Sequence, residues 1–67
     1  MKIYINNQIT DLPNDFMTLG DLIKLKNIKS SGTAIALNDK IIRKDKWDVT
    51  NLSPLDHITI ITGAFGG

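Results

Sequence analysis

Residues 2–13 read KIYINNQITDLP, and the architecture follows from them. Ile3 and Ile5 alternate with Lys2, Tyr4 and Asn6, the two-residue period of a half-buried strand. Asn6-Asn7 then breaks the alternation with side chains that tolerate left-handed backbone angles. Ile9 and Leu12 resume the apolar pattern beyond it, so the stretch reads as a hairpin. Pro13 ends the second strand because it has no N–H to give to a ladder.

Thr18 followed by Asp21 reads as a helix N-cap, a weaker form of the capping box. Leu19, Leu22, Ile23 and Lys26 share one face at helical spacing, with Leu25 at its flank. Lys26 interrupts this apolar stripe and is expected to snorkel from the end of a short helix. Gly20 weakens the first turn, so about two and a half turns of helix must be held by packing rather than propensity. Asn27 suits a left-handed cap, with Ile28 folding back behind it. Ser30 to Gly32 is a loop, and Ala34 to Leu37 is apolar without interruption, as a buried strand would be. Asn38-Asp39 turns the chain into a short strand at Ile41–Arg43. Arg43 to Ser53 is irregular and contains the only Trp, and Pro54 starts a turn. His57 to Thr62, HITIIT, is the most strand-like stretch of all.

The order is therefore strand, strand, helix, strand, short strand, irregular segment, strand. One helix covering one face of a mixed four- to five-stranded sheet buries both apolar faces in two layers. The expectation is an α+β protein of the β-grasp, or ubiquitin-like, type. Its first and last strands would run side by side in the sheet centre, since both are rich in Ile. Residues 1–62 would form this domain, and 63–67 a flexible tail ending in Gly-Gly.

Composition narrows the function. Sixty-seven residues make one small domain. The hydrophobic content of 42% is too high for disorder. A formal net charge of +1 is too balanced for a dedicated nucleic-acid binder. Lys40, Arg43, Lys44 and Lys46 cluster locally, which reads as a solvated surface ahead of a docking patch for an acidic partner. The absence of Cys excludes disulfides, zinc knuckles and a thiolate nucleophile. There is no apolar run long enough for a membrane span and no signal-peptide pattern, so the cytoplasm is the expected location. A monomer that docks transiently is the simplest expectation for its assembly.

Side-chain chemistry is sparse. His57 is the only histidine, with Asp56 as its one close acidic neighbour, and reads as a surface residue at the start of a strand. Asp45 and Asp48 share a turn without any mark of an acid/base pair. Trp47 reads as a core residue at the edge of a small domain. No catalytic or metal site is found, which leaves the tail. Gly66-Gly67 has no Cβ and could thread a narrow channel of a partner enzyme. The terminal carboxyl, with an ordinary pKa of about 3.5, is an anion at neutral pH and can attack the α-phosphate of ATP. Phe65 would serve as an interface anchor, or else fold back on its own sheet.

These features together resemble the ThiS-like sulfur carriers of thiamin biosynthesis, over the whole chain. The resemblance rests on the KIYINNQ hairpin, the helix start Thr18-Leu19-Gly20-Asp21-Leu22-Ile23, and the segments Ala34 to Asn38 and Ile41 to Trp47. It is completed by Asp56 to Ile60 and the final Gly66-Gly67. Arg43 and Lys44 depart from the family's usual Pro and Arg, Lys26 from an apolar residue, and Phe65 from a smaller one. The resemblance implies a protein co-substrate, not an enzyme. A ubiquitin-activating-type enzyme would adenylate the Gly67 carboxylate using ATP, and a sulfur donor, such as a cysteine desulfurase, would convert it to a thiocarboxylate. Thiazole synthase would then receive the sulfur. No cofactor, metal or nucleic acid would be bound. Other readings are a sulfur carrier for molybdopterin synthesis or tRNA thiolation, and a ubiquitin-like binding module with an idle tail.

Overall fold

The computed structural model of the protein describes residues 1–63. Strands β1 (Lys2–Ile5) and β2 (Gln8–Asp11) form the expected hairpin. Its register pairs Ile5 with Gln8 across Asn6 and Asn7, whose φ angles are 50° and 67°. Both central residues are left-handed, the arrangement whose twist matches a two-residue hairpin.

Helix α1 spans Leu19–Leu25 and is shorter than its sequence pattern suggests. A full capping box starts it: the Thr18 hydroxyl accepts from the Asp21 N–H at 3.1 Å, and the Asp21 carboxylate accepts from the Thr18 N–H at 2.9 Å. The Thr18 N–H, and next its hydroxyl, hold the Asp21 carboxyl below the usual carboxylate range, with Lys24 adding to the effect. Asn27, at φ 58°, ends the helix in the left-handed conformation. The Asn27 N–H reaches the Lys24 carbonyl and the Ile28 N–H the Ile23 carbonyl, the paired bonds of a Schellman motif. Lys26 therefore lies past the last helical residue, exposed, and not within the buried stripe.

Strands β3 (Thr33–Leu37) and β4 (Lys40–Ile42) form a second hairpin across Asn38 and Asp39, both left-handed. The segment expected to be irregular contains a 3-10 helix, Lys44–Val49. A Ser53–Asp56 turn with Leu55 at φ 66° leads into β5 (His57–Thr62).

The sheet order is β2-β1-β5-β3-β4. The β1–β5 pairing is parallel and the other three are antiparallel, so the last strand lies at the centre. This mixed five-stranded sheet under one helix is the β-grasp arrangement. The core gathers Ile3, Ile35 and Ile58 from the sheet with Leu19, Leu22 and Ile23 from α1. Trp47 closes one side, 5% exposed, and its indole N–H donates to the Ile42 carbonyl at 3.0 Å. Gly20 sits where α1 meets the 3-10 helix; a Cβ there would lie 1.9 Å from Asp48 Oδ1 and 3.3 Å from Asp48 Cα. No helix among the described residues is long and apolar enough to cross a membrane.

Candidate functional site: the exit of the C-terminal segment

Strand β5 carries the chain toward the residues singled out by sequence. Gly67, Gly66 and Phe65 lie outside the described residues, so the structure defines the platform from which they leave. β5 begins beside β1, with Tyr4 opposite His57 and Ile5 opposite Ile58. Beyond Ile58 it outruns β1, and pairs with β3 as far as Thr62 opposite Thr33.

Two turn asparagines secure this strand. The Asn38 Oδ1 accepts from the His57 N–H at 2.9 Å, and its Nδ2 donates to Asp56 Oδ1 at 3.1 Å. The Asn6 Oδ1 accepts from the Ile60 N–H at 2.8 Å, and its Nδ2 reaches the Ile60 carbonyl at 3.4 Å. Asn6 thus supplies an amide side chain where β1 has no further backbone to offer. Sequence reading finds both residues as turn formers. It misses them as clamps, because the strand they hold is distant in the chain. The Gly63 N–H then donates to the Gly32 carbonyl at 3.0 Å, and its φ of 65° turns the chain out of the strand line. The left-handed angle is one glycine adopts without steric cost.

Two surfaces flank this exit. The open face of the sheet carries Tyr4, Ile9, Ile41 and Ile61. Ile9, Ile41 and Ile61 are exposed to 59%, 65% and 44%, so the open face is apolar across its width. His57 stands on it, its ring stacked on Tyr4 at 4.4 Å. On the helix side, a groove of about 460 Å³ lies between the end of β5, the first hairpin and the segment after α1.

The remaining candidates stay apart. Asp45 pairs with Arg43 at 3.5 Å, and Asp48 lies against Gly20. Lys40, Arg43, Lys44 and Lys46 are all exposed. Among the described residues, no group of three His, Cys, Asp or Glu side chains is placed to hold a metal ion.

A mixed five-stranded sheet under one helix, with β5 at its centre, defines the β-grasp class of small ubiquitin-like domains. The ThiS family matches residues 3–67. The chain belongs to that family, the sulfur carriers of thiamin biosynthesis. Among solved structures it resembles the crystal structure of a thiamine biosynthesis protein (ThiS) from Geobacter metallireducens. The TM-score is 0.86 at 14% identity, covering 100% of both chains. A solution structure of a thiamine biosynthesis protein from the same organism gives a TM-score of 0.78 at 13% identity, over 91% of this chain and 81% of that one. At these identities the likeness is one of fold. No curated protein matches the chain by sequence.

Proposed function

We propose that this protein carries sulfur on the Gly67 carboxylate and delivers it for thiazole formation. The observation that carries the reading is the family match, which runs through Gly67, on a fold whose central strand leads into that residue's segment. The protein is a co-substrate, and catalysis belongs to its partners. A carboxylate oxygen of Gly67 attacks the α-phosphate of ATP on a ubiquitin-activating-type enzyme, with release of pyrophosphate. A sulfur nucleophile, supplied by a cysteine desulfurase or similar donor, then displaces AMP from the acyl adenylate. When the donor sulfur is a persulfide, the product is an acyl disulfide. A second thiol of the partner attacks its donor-side sulfur, forming a donor disulfide and releasing the thiocarboxylate, which thiazole synthase consumes.

Each part of the terminal segment has a role here. Gly66 and Gly67 thread the partner's channel because they lack side chains. Phe65 anchors the segment at the channel mouth. The apolar open face of the sheet supplies docking area beside the exit. The protein works as a cytoplasmic monomer and binds no cofactor of its own.

Intact-mass measurement tests this after incubation with ATP, the adenylating enzyme and a sulfur donor. The expected result is a gain equal to one oxygen exchanged for sulfur, absent when Gly67 is deleted. A chain extended beyond Gly67 that is still adenylated would refute the terminal-carboxylate chemistry. Unchanged mass with intact partner binding would favour a ubiquitin-like binding module.

A further inference from the structure

The groove on the helix side of the exit is built from two kinds of surface. Its floor is aliphatic: Ile5, Ile28 and Ile60 are only partly buried and pack against the core from one side. Its rim is polar and includes Thr62, the residue before the turn at Gly63. Lys26 is the one charged residue lining it. Among the described residues, Lys26 forms no ion pair with a carboxylate.

We propose that this groove is a docking site for the chain's own C-terminal segment, with the Phe65 ring over Ile5, Ile28 and Ile60 and the Gly67 carboxylate at the Lys26 ammonium. The proposal rests on the reading that the Gly67 carboxylate is free. Reach allows it. Phe65 is two residues beyond Gly63, about 7 Å of extended chain, and Gly67 is four, about 14 Å. Thr62 already lines the groove, so the segment starts at its edge. Chemistry favours it as well, because one aromatic ring and one anion meet an aliphatic floor and one cation. Covalent attachment favours this occupant over a free peptide, since a short tether acts as a millimolar local concentration.

The docked segment exchanges with a free one, and the adenylating partner takes the free form. The docked fraction then lowers the partner's apparent affinity in proportion. Lys26 thereby gains a function that its position past the helix end does not otherwise require.

Nuclear Overhauser contacts in the free, full-length chain test the proposal. The Phe65 ring should contact the methyls of Ile28 and Ile60, and those methyls should lose their ring-current shifts in Phe65→Ala. Lys26→Gln, at an exposed position, should lower the docked-to-free ratio about threefold, from the loss of a surface ion pair. Methyl shifts identical in the parent and Phe65→Ala would overturn the proposal. So would ring contacts to Tyr4 or Ile61 on the open face, or contacts that vanish on dilution and so belong to a second copy. The partner-free readout separates this idea from the carrier chemistry. Activation without ring contacts removes the docking alone, and ring contacts without activation remove the carrier reading.

Discussion

Asn6→Gly isolates the clamp on the central strand. Asn6 has φ 50°, so alanine would add backbone strain, whereas glycine keeps the turn and removes only the side chain. Two hydrogen bonds are lost. The Ile60 N–H to Oδ1 bond, at 2.8 Å, is well formed; the Nδ2 bond to the Ile60 carbonyl, at 3.4 Å, is marginal. The first contributes about 1 kcal/mol net and the second a few tenths. The added chain entropy of glycine is offset by the left-handed angle, which it adopts without steric cost. The sum is about 1.3 kcal/mol, which for a domain this small lowers Tm by roughly 5–10 °C. Asn6→Asp keeps the acceptor and should cost about 0.5 kcal/mol, the share of the weaker bond. Thermal unfolding gives the magnitude, and amide exchange gives the location: Ile60 should lose protection while Ile35 keeps it. A Gly variant melting within a few degrees of the parent, or an Ile60 amide exchanging at the parental rate, would refute the clamp.

Gly20→Ala should destabilise by about 1–2 kcal/mol although alanine is the better helix former, because its Cβ overpacks the contact with Asp48. Adding Asp48→Ala should recover most of that loss in a urea-denaturation cycle; equal effects in both backgrounds would exclude the contact. Thr18→Ala should cost about 1 kcal/mol at neutral pH by removing the cap. Asp21 titrates below the usual carboxylate range, so its contribution is present above the unfolded-state pKa and is lost as pH falls through the folded-state value. The gap between parent and Thr18→Ala should therefore narrow on acidification below about pH 4, and NMR titration of Asp21 should show its pKa rising in the variant.

The fold was legible where local chemistry and global arrangement agree. Asparagine stands at the left-handed positions Asn6, Asn7, Asn27 and Asn38, and each marks the turn or helix end that the structure forms there. Ile-rich alternation in β1 and β5 marks the central pair, and a lone Trp in so small a domain marks a core residue, as Trp47 is. The 3-10 helix was not legible: Lys44–Val49 buries only Trp47, so no apolar periodicity announces it. Lys26 misled because the pattern of α1 continues past the point where the Asn27 cap stops the helix. Phe65, Gly66 and Gly67 lie outside the described residues, and the structure describes only the strand that leads to them. Its supports, Asn6 and Asn38, act on β5 across the sheet, with 54 residues separating Asn6 from Ile60.

The central position of β5 also ties the order of synthesis to the order of assembly. A chain emerging from its N-terminus can close the first hairpin, wind α1 and close the second hairpin. It then holds two half-sheets, each with an inner strand edge unpaired, because β1 and β3 meet only through β5. Such edges invite pairing with other chains. The last strand made is the one that joins the halves, and it is the strand that presents the terminal segment. A chain ended before β5 would therefore lack a continuous sheet, leaving both inner strand edges open to proteolysis and to pairing with other chains.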